Sequence, residues 1–124
     1  MLLVDTDVLI DFLKSVPEAV HYLNSLPDPP LVSVVTVAEL YAGVRDHERP
    51  ALDALVAAVV VVTIDGAIAV RGGLFRRDYR KSHGVCLTDA LIAATSEART
   101  ATLVTLNRKH FPMLANVSVS YRKP

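Results

Sequence analysis

At 124 residues the chain has the length of one domain and is long enough to enclose a core. Hydrophobic residues make up 52% and charged residues 21%, as in an ordinary soluble fold, and 13 basic side chains balance 13 acidic ones. That balance lacks the basic excess usual in proteins that neutralise phosphates, so a nucleic-acid role requires locally segregated charge. The lone cysteine, Cys86, excludes an internal disulfide framework and fits a reducing compartment. The longest uncharged run, from Asp53 to Asp65, is far shorter than the roughly 20 apolar residues of a membrane span. Asp5 and Asp7 interrupt any leader sequence, so a cytoplasmic protein is expected.

Leu2 to Val4 reads as a buried strand, and the polar Asp5-Thr6-Asp7 turns it into a short helix through Val8 to Leu13. Proline is tolerated in a first helical turn, so a second helix is expected from Pro17 to about Leu26, where the Pro27–Pro30 stretch stops it. A second strand follows at Leu31 to Val35. Thr36-Val37-Ala38-Glu39 has the spacing of a capping box and predicts a helix to about Val44. Another helix, roughly Pro50 to Ala58, carries Leu52, Leu55 and Val56, which suit either the core or a dimer interface.

The β-branched run Val59 to Ile64 predicts a third strand. Asp65 can cap a helix on which Ile68, Gly72, Phe75 and Tyr79 share one face, and His83-Gly84 ends it. Thr88 offers an N-cap for a helix from Asp89 to Arg99. Thr102 to Leu106 is a fourth strand, and Val117 to Ser120 an edge strand. Continuously apolar strands alternating with helices indicate a three-layer α/β/α sandwich around a mostly parallel sheet, all within a single domain spanning residues 1–124.

In such sheets the site lies outside the carboxyl ends of the strands. Asp5 follows the first strand, Glu39 sits in the first turn after the second, and Asp89 opens the helix before the fourth. A parallel sheet brings all three to one edge. Each also has a plain structural reading, since acids favour first helical turns. Together they form a cluster whose mutual repulsion a cation would relieve. Oxygen donors without a cysteine or histidine cluster suit magnesium or manganese rather than zinc. An ion of that kind is the machinery of phosphodiester hydrolysis. The basic runs Arg71–Lys81 and Arg108–Lys109 can line an RNA path, or can simply be solvated surface.

Four blocks carry a family resemblance: Leu3–Ile10 around Asp5-Thr6-Asp7, Ser33–Leu40 ending in Glu39-Leu40, Thr88–Thr95 beginning Thr88-Asp89-Ala90, and Val104–Phe111 around Thr105-Leu106-Asn107. In this order the chain resembles PIN domains and, more narrowly, the VapC toxins of bacterial and archaeal toxin–antitoxin pairs. The resemblance implies a magnesium- or manganese-dependent endoribonuclease, a homodimer, and a small VapB-like antitoxin that occupies its groove. It assigns Asp5 and Asp89 as principal metal ligands and Glu39 as the holder of a water or a second ion. Asp7 would orient the site, and Thr6 and Thr105 would donate hydrogen bonds to Asp5 or to a bound water. Many members carry a fourth acid in the last block, where this chain has Asn107 and His110. Asn107 can ligate through its carbonyl oxygen but adds no charge, which favours one metal over two. Arg45, Arg76, Arg80, Arg108 and His110 are candidate RNA contacts.

Two other readings stay open. Asp5-Thr6-Asp7-Val8 resembles the nucleophile motif of haloacid-dehalogenase-type phosphatases, although no later acid pair follows and the chain is short for that fold. A PIN-like module that binds RNA or protein without cutting needs no divalent ion. A receiver domain fits worse, because Asp5 and Asp7 stand in the wrong relation to the first strand.

Overall fold

Short runs of aliphatic residues pair side by side in one parallel sheet. The computed structural model describes residues 1–123. Strand β1 (Leu2–Val4) is followed by helices α1 (Thr6–Leu13) and α2 (Pro17–Asn24), then β2 (Leu31–Ser33). Helices α3 (Val34–Ala42) and α4 (Arg49–Ala58) lead to β3 (Val60–Val62), and α5 (Gly66–His83) and α6 (Leu87–Ala98) lead to β4 (Thr102–Val104). A two-residue strand, β5 (Val117–Ser118), closes the chain. The strand order is β3-β2-β1-β4-β5, and every pairing is parallel.

Period-two alternation sends neighbouring residues of each strand to opposite faces. Leu3, Leu31 and Leu103 join Phe75, Ile92 and Phe111 in the layer carrying α5 and α6. Val4, Val32 and Val104 join Val8, Leu40 and Leu52 in the layer carrying α1, α3 and α4. The sheet is thus buried on both sides, which gives the expected α/β/α sandwich. Leu52 is 1% exposed, so it belongs to the core, while Leu55 and Val56 pack against the same cluster.

Several boundaries differ from the sequence reading. β2 ends at Ser33 rather than Val35, because the Ser33 hydroxyl accepts a hydrogen bond from Val35 N (3.1 Å) and starts α3 there. Thr36 is therefore inside the helix and fully buried, and it caps nothing. Likewise α6 begins at Leu87, with Cys86 as the flanking extended residue, so the Thr88 cap does not form; its hydroxyl lies 3.2 Å from Cys86 Sγ. β4 stops at Val104, although Thr105 N still donates to Ser118 O (3.1 Å), and Leu106 N donates instead to the Asp7 side chain. Asp65 and Gly84 do bound α5 as expected. Asp65 Oδ1 accepts from Ile68 N (2.8 Å), and Gly84 takes the left-handed conformation at φ 62° that glycine tolerates best.

The chain changes faces of the sheet between β3 and β4. Strands β1 and β4 are adjacent, yet their flanking helices lie on opposite sides. The crevice at their carboxyl ends is the topological switch point, where open parallel sheets bind ligands. Asp5 follows β1 and Thr105 follows β4 at that point.

Candidate active site

Parallel pairing in the register Val4↔Val104 carries Asp5 and Thr105 out of the sheet together. Asp5 N donates to Val104 O (2.9 Å), so the two chain segments stay locked for one residue beyond the strands. Asp5 is the N-cap of α1, with Oδ1 accepting from Thr6 N (2.8 Å) and Oδ2 from the Thr105 hydroxyl (2.8 Å). The same hydroxyl lies 3.2 Å from Asp7 Oδ2 and accepts from Asn107 N (3.1 Å). One hydroxyl proton thus serves two carboxylates.

Asp7 Oδ1 accepts from Val8 N (2.8 Å), and its Oδ2 also takes Leu106 N (2.9 Å) and Asn107 Nδ2 (3.2 Å). These bonds clamp the segment after β4 onto the first turn of α1. The Asn107 amide nitrogen faces Asp7.

Asp5 is 6% exposed. Burial, reinforced by the neighbouring Asp7 and Asp89 charges, pushes its carboxyl up to about 7 despite the Thr105 and Thr6 hydrogen bonds that oppose the shift. Burial also raises Asp7, with Asp11 adding to it and hydrogen bonds from Leu106, Val8 and Thr105 holding it back. The crevice disfavours ionised carboxylates chiefly because it takes them out of water, and secondly because it gathers several of them.

The Thr6 hydroxyl stands 2.8 Å from Glu39 Oε1 and 3.0 Å from Thr36 Oγ1. It was expected to reach Asp5 or a bound water, but the helical start at Thr6 aims it across to α3, and only its backbone N–H meets Asp5. The Thr36 contribution escaped the sequence reading because the Thr36–Glu39 spacing imitates a capping box. The usable signal was Ser33, an N-cap residue type one position before the helical run. Glu39 itself is exposed.

Asp89 lies in the first turn of α6, 20% exposed at its side chain, and Oδ2 is 3.4 Å from His110 Nδ1. Of the basic candidates, Arg108 donates to Val117 O (3.1 Å) and so braces β5. Arg76 and Arg80 stand on α5 and Arg45 precedes a short turn. None of the three forms an ion pair with a carboxylate among the described residues.

Among the described residues no three of His, Cys, Asp or Glu are gathered tightly enough to enclose an ion by themselves. Magnesium does not demand such a cage, since it usually keeps several waters and takes one or two carboxylates together with substrate phosphate. Asp5 and Asp89, the latter near enough for its charge to be felt at Asp5, offer two carboxylates of that kind. These residues fit a hard divalent cation.

A family model for the PIN domain matches residues 2–116. A Mycobacterium tuberculosis protein named Ribonuclease VapC10 is 42% identical over 127 aligned residues, covering 100% of this chain and 96% of its own length. Ribonuclease VapC19 from the same organism is 39% identical, covering 98% of this chain and 100% of its own. In three dimensions the chain superposes on a toxin–antitoxin complex from Klebsiella pneumoniae with TM-score 0.83 and 28% identity, over 98% of this chain and 99% of that one. VapBC2 from Rickettsia felis, bound to a promoter DNA fragment, shares the fold with TM-score 0.78 at 22% identity, over 94% of each chain.

Proposed function

The chain belongs to the PIN domain family, and from that premise we propose that it is a divalent-metal-dependent endoribonuclease acting as the toxin of a toxin–antitoxin pair. The observation that carries the reading is the Asp5–Thr105–Asp7 constellation at the β1/β4 switch point, with Asp89 close enough to act on Asp5. Full-length relatives named as ribonucleases support the reaction, and the toxin–antitoxin complexes among the structural neighbours support a small protein antitoxin. No helix among the described residues is long and apolar enough to cross a membrane. RNA and antitoxin would both be met in the cytosol, by a chain that pairs as a homodimer.

Asp5 and Asp89 would hold a magnesium or manganese ion. When bound, that ion neutralises charge building on the phosphoryl oxygens and lowers the pKa of a nearby water. The chain's own part is positional. Thr105 and the Asp7 clamp keep Asp5 in one rotamer, so its carboxylate is presented without reorganisation. Glu39, with one oxygen accepting from the Thr6 hydroxyl, would use the other to hold a water. Asn107 brings no charge to the last block, which suits a single ion. Arg45, Arg76 and Arg80, which form no ion pair with a carboxylate among the described residues, would meet RNA phosphates, whereas Arg108 is engaged by the backbone.

Incubating the purified protein with a pool of structured RNA, with magnesium, manganese or a chelator and alongside Asp5→Asn, tests the proposal. Cleavage is expected only with an ion and only in the wild type. Intact RNA in every lane, with no ion binding by calorimetry, would instead favour the non-cutting module.

A further inference from the structure

His110 ends a short 3-10 turn, Arg108–His110, that follows directly on the residues clamped by Asp7. The turn has a fixed base. His110 N donates to Asn107 O (3.0 Å), Phe111 N to Arg108 O (3.0 Å), and the Arg108 guanidinium to Val117 O. Phe111 is 1% exposed and anchors the next residue in the core. From this base the imidazole reaches over to Asp89, Nδ1 to Oδ2 at 3.4 Å. The side chain stays largely exposed, but its Nδ1 edge is turned to a carboxylate of the site.

We propose that His110 is a positioning residue for Asp89. Nδ1 would hold Oδ2, leaving the other carboxylate oxygen free for the cation that Asp5 and Asp89 would share. The inference rests on the reading of Asp5 and Asp89 as metal ligands. Its physical basis is that a ligating carboxylate binds best when its outer oxygen is itself tethered, because the tether fixes the rotamer before the ion arrives. The contact sits where this chain lacks a fourth acid, so the last block acts on the ion through Asp89 in place of supplying a charge of its own.

Which ring nitrogen makes the contact supplies a specific test. The side-chain amide nitrogen of asparagine falls near the place of Nδ1, whereas that of glutamine falls near the place of Nε2. Manganese affinity is measured by calorimetry on the full chain for the wild type, His110→Asn, His110→Gln, His110→Ala and Asp89→Asn, with thermal unfolding to confirm that each is folded. Loss of such a tether costs about 10- to 100-fold in affinity for buried partners, and about 3- to 10-fold is expected for one this exposed. Alanine and glutamine should show that loss, and asparagine should stay within about twofold of wild type. If Asp89→Asn abolishes binding while alanine binds like wild type, or more tightly, the positioning role of His110 is overturned and the metal site stands. Weakening in asparagine equal to that in alanine also overturns it. If Asp89→Asn binds manganese as the wild type does, the underlying metal-site reading fails instead.

Discussion

Replacing Asp5 with asparagine should abolish cleavage and, in the metal-free protein at neutral pH, make the fold more stable. The carboxyl moves from 3.8 to about 7 on folding, chiefly because it is buried and then because of Asp7. At about 1.4 kcal/mol per pH unit, holding Asp5 ionised in the folded state costs the fold about 4 kcal/mol. Between roughly pH 4 and pH 7 the folded chain keeps a proton that the unfolded chain has released. Stability therefore falls as the pH rises through that window and levels off above it. Asparagine titrates nowhere in this range. Its amide oxygen can replace one accepting oxygen, and rearranging the contact with Thr105 costs about 1 kcal/mol. Urea unfolding in chelator should accordingly show the variant's advantage growing by about 2–3 kcal/mol between pH 5 and pH 8. Manganese should narrow the gap by stabilising the wild type alone. An advantage that stays constant from pH 5 to pH 8, or a variant less stable than wild type at pH 8, would refute the account of Asp5 as a buried and charge-crowded carboxylate.

Thr105→Val removes the hydroxyl shared by Asp5, Asp7 and Asn107 N. It should cost about 1–3 kcal/mol in urea unfolding and move the pH-dependent loss of stability to higher pH, since a bond that favours ionised Asp5 is gone; an unmoved pH profile would contradict this. Glu39→Gln keeps an acceptor for Thr6 on an exposed side chain, so stability should change by less than about 1 kcal/mol while cleavage falls. Unfolding with normal specific activity would return Glu39 to a purely structural role. Gly72→Ala would put a Cβ 2.6 Å from Leu91 Cδ2 and 3.2 Å from Leu91 Cα. That overpacking between α5 and α6 should cost about 1–3 kcal/mol and lower the melting temperature without changing manganese affinity, and an unchanged melting temperature would show that α6 yields freely.

Much of this architecture is written locally. Leu2–Val4, Leu31–Val32 and Thr102–Val104 are strands because runs of aliphatic residues bounded by polar turns have few other ways to be buried on both faces. Asp65 and Gly84 delimit α5 through short-range bonds and backbone preference, so they too can be read without the fold. The placement of Asp5, Glu39 and Asp89 on one edge follows from the same logic once the sheet is taken as parallel. Local reasoning erred at Ser33 and Thr36, where two residues able to cap lie three apart and only packing chooses between them. The fully buried Thr36 hydroxyl meets Thr6 in the folded chain, a contact that no spacing rule encodes.

What the sequence by itself determined is the fold class and which acids follow the strands at the carboxyl edge of the sheet, because both depend on periodicity and on the order of strands and helices. The tertiary structure decided what each acid touches. Thr105 reaches Asp5 across a separation of 100 residues, and it does so because β1 and β4 are neighbours in the sheet, a pairing that strand order alone leaves open. The same adjacency places Asn107 and Leu106 on Asp7 and sets the burial that lifts the Asp5 carboxyl. His110 meets Asp89 for a related reason: the turn after β4 is pinned to α1 and by Phe111 to the core, which holds the imidazole beside the first turn of α6.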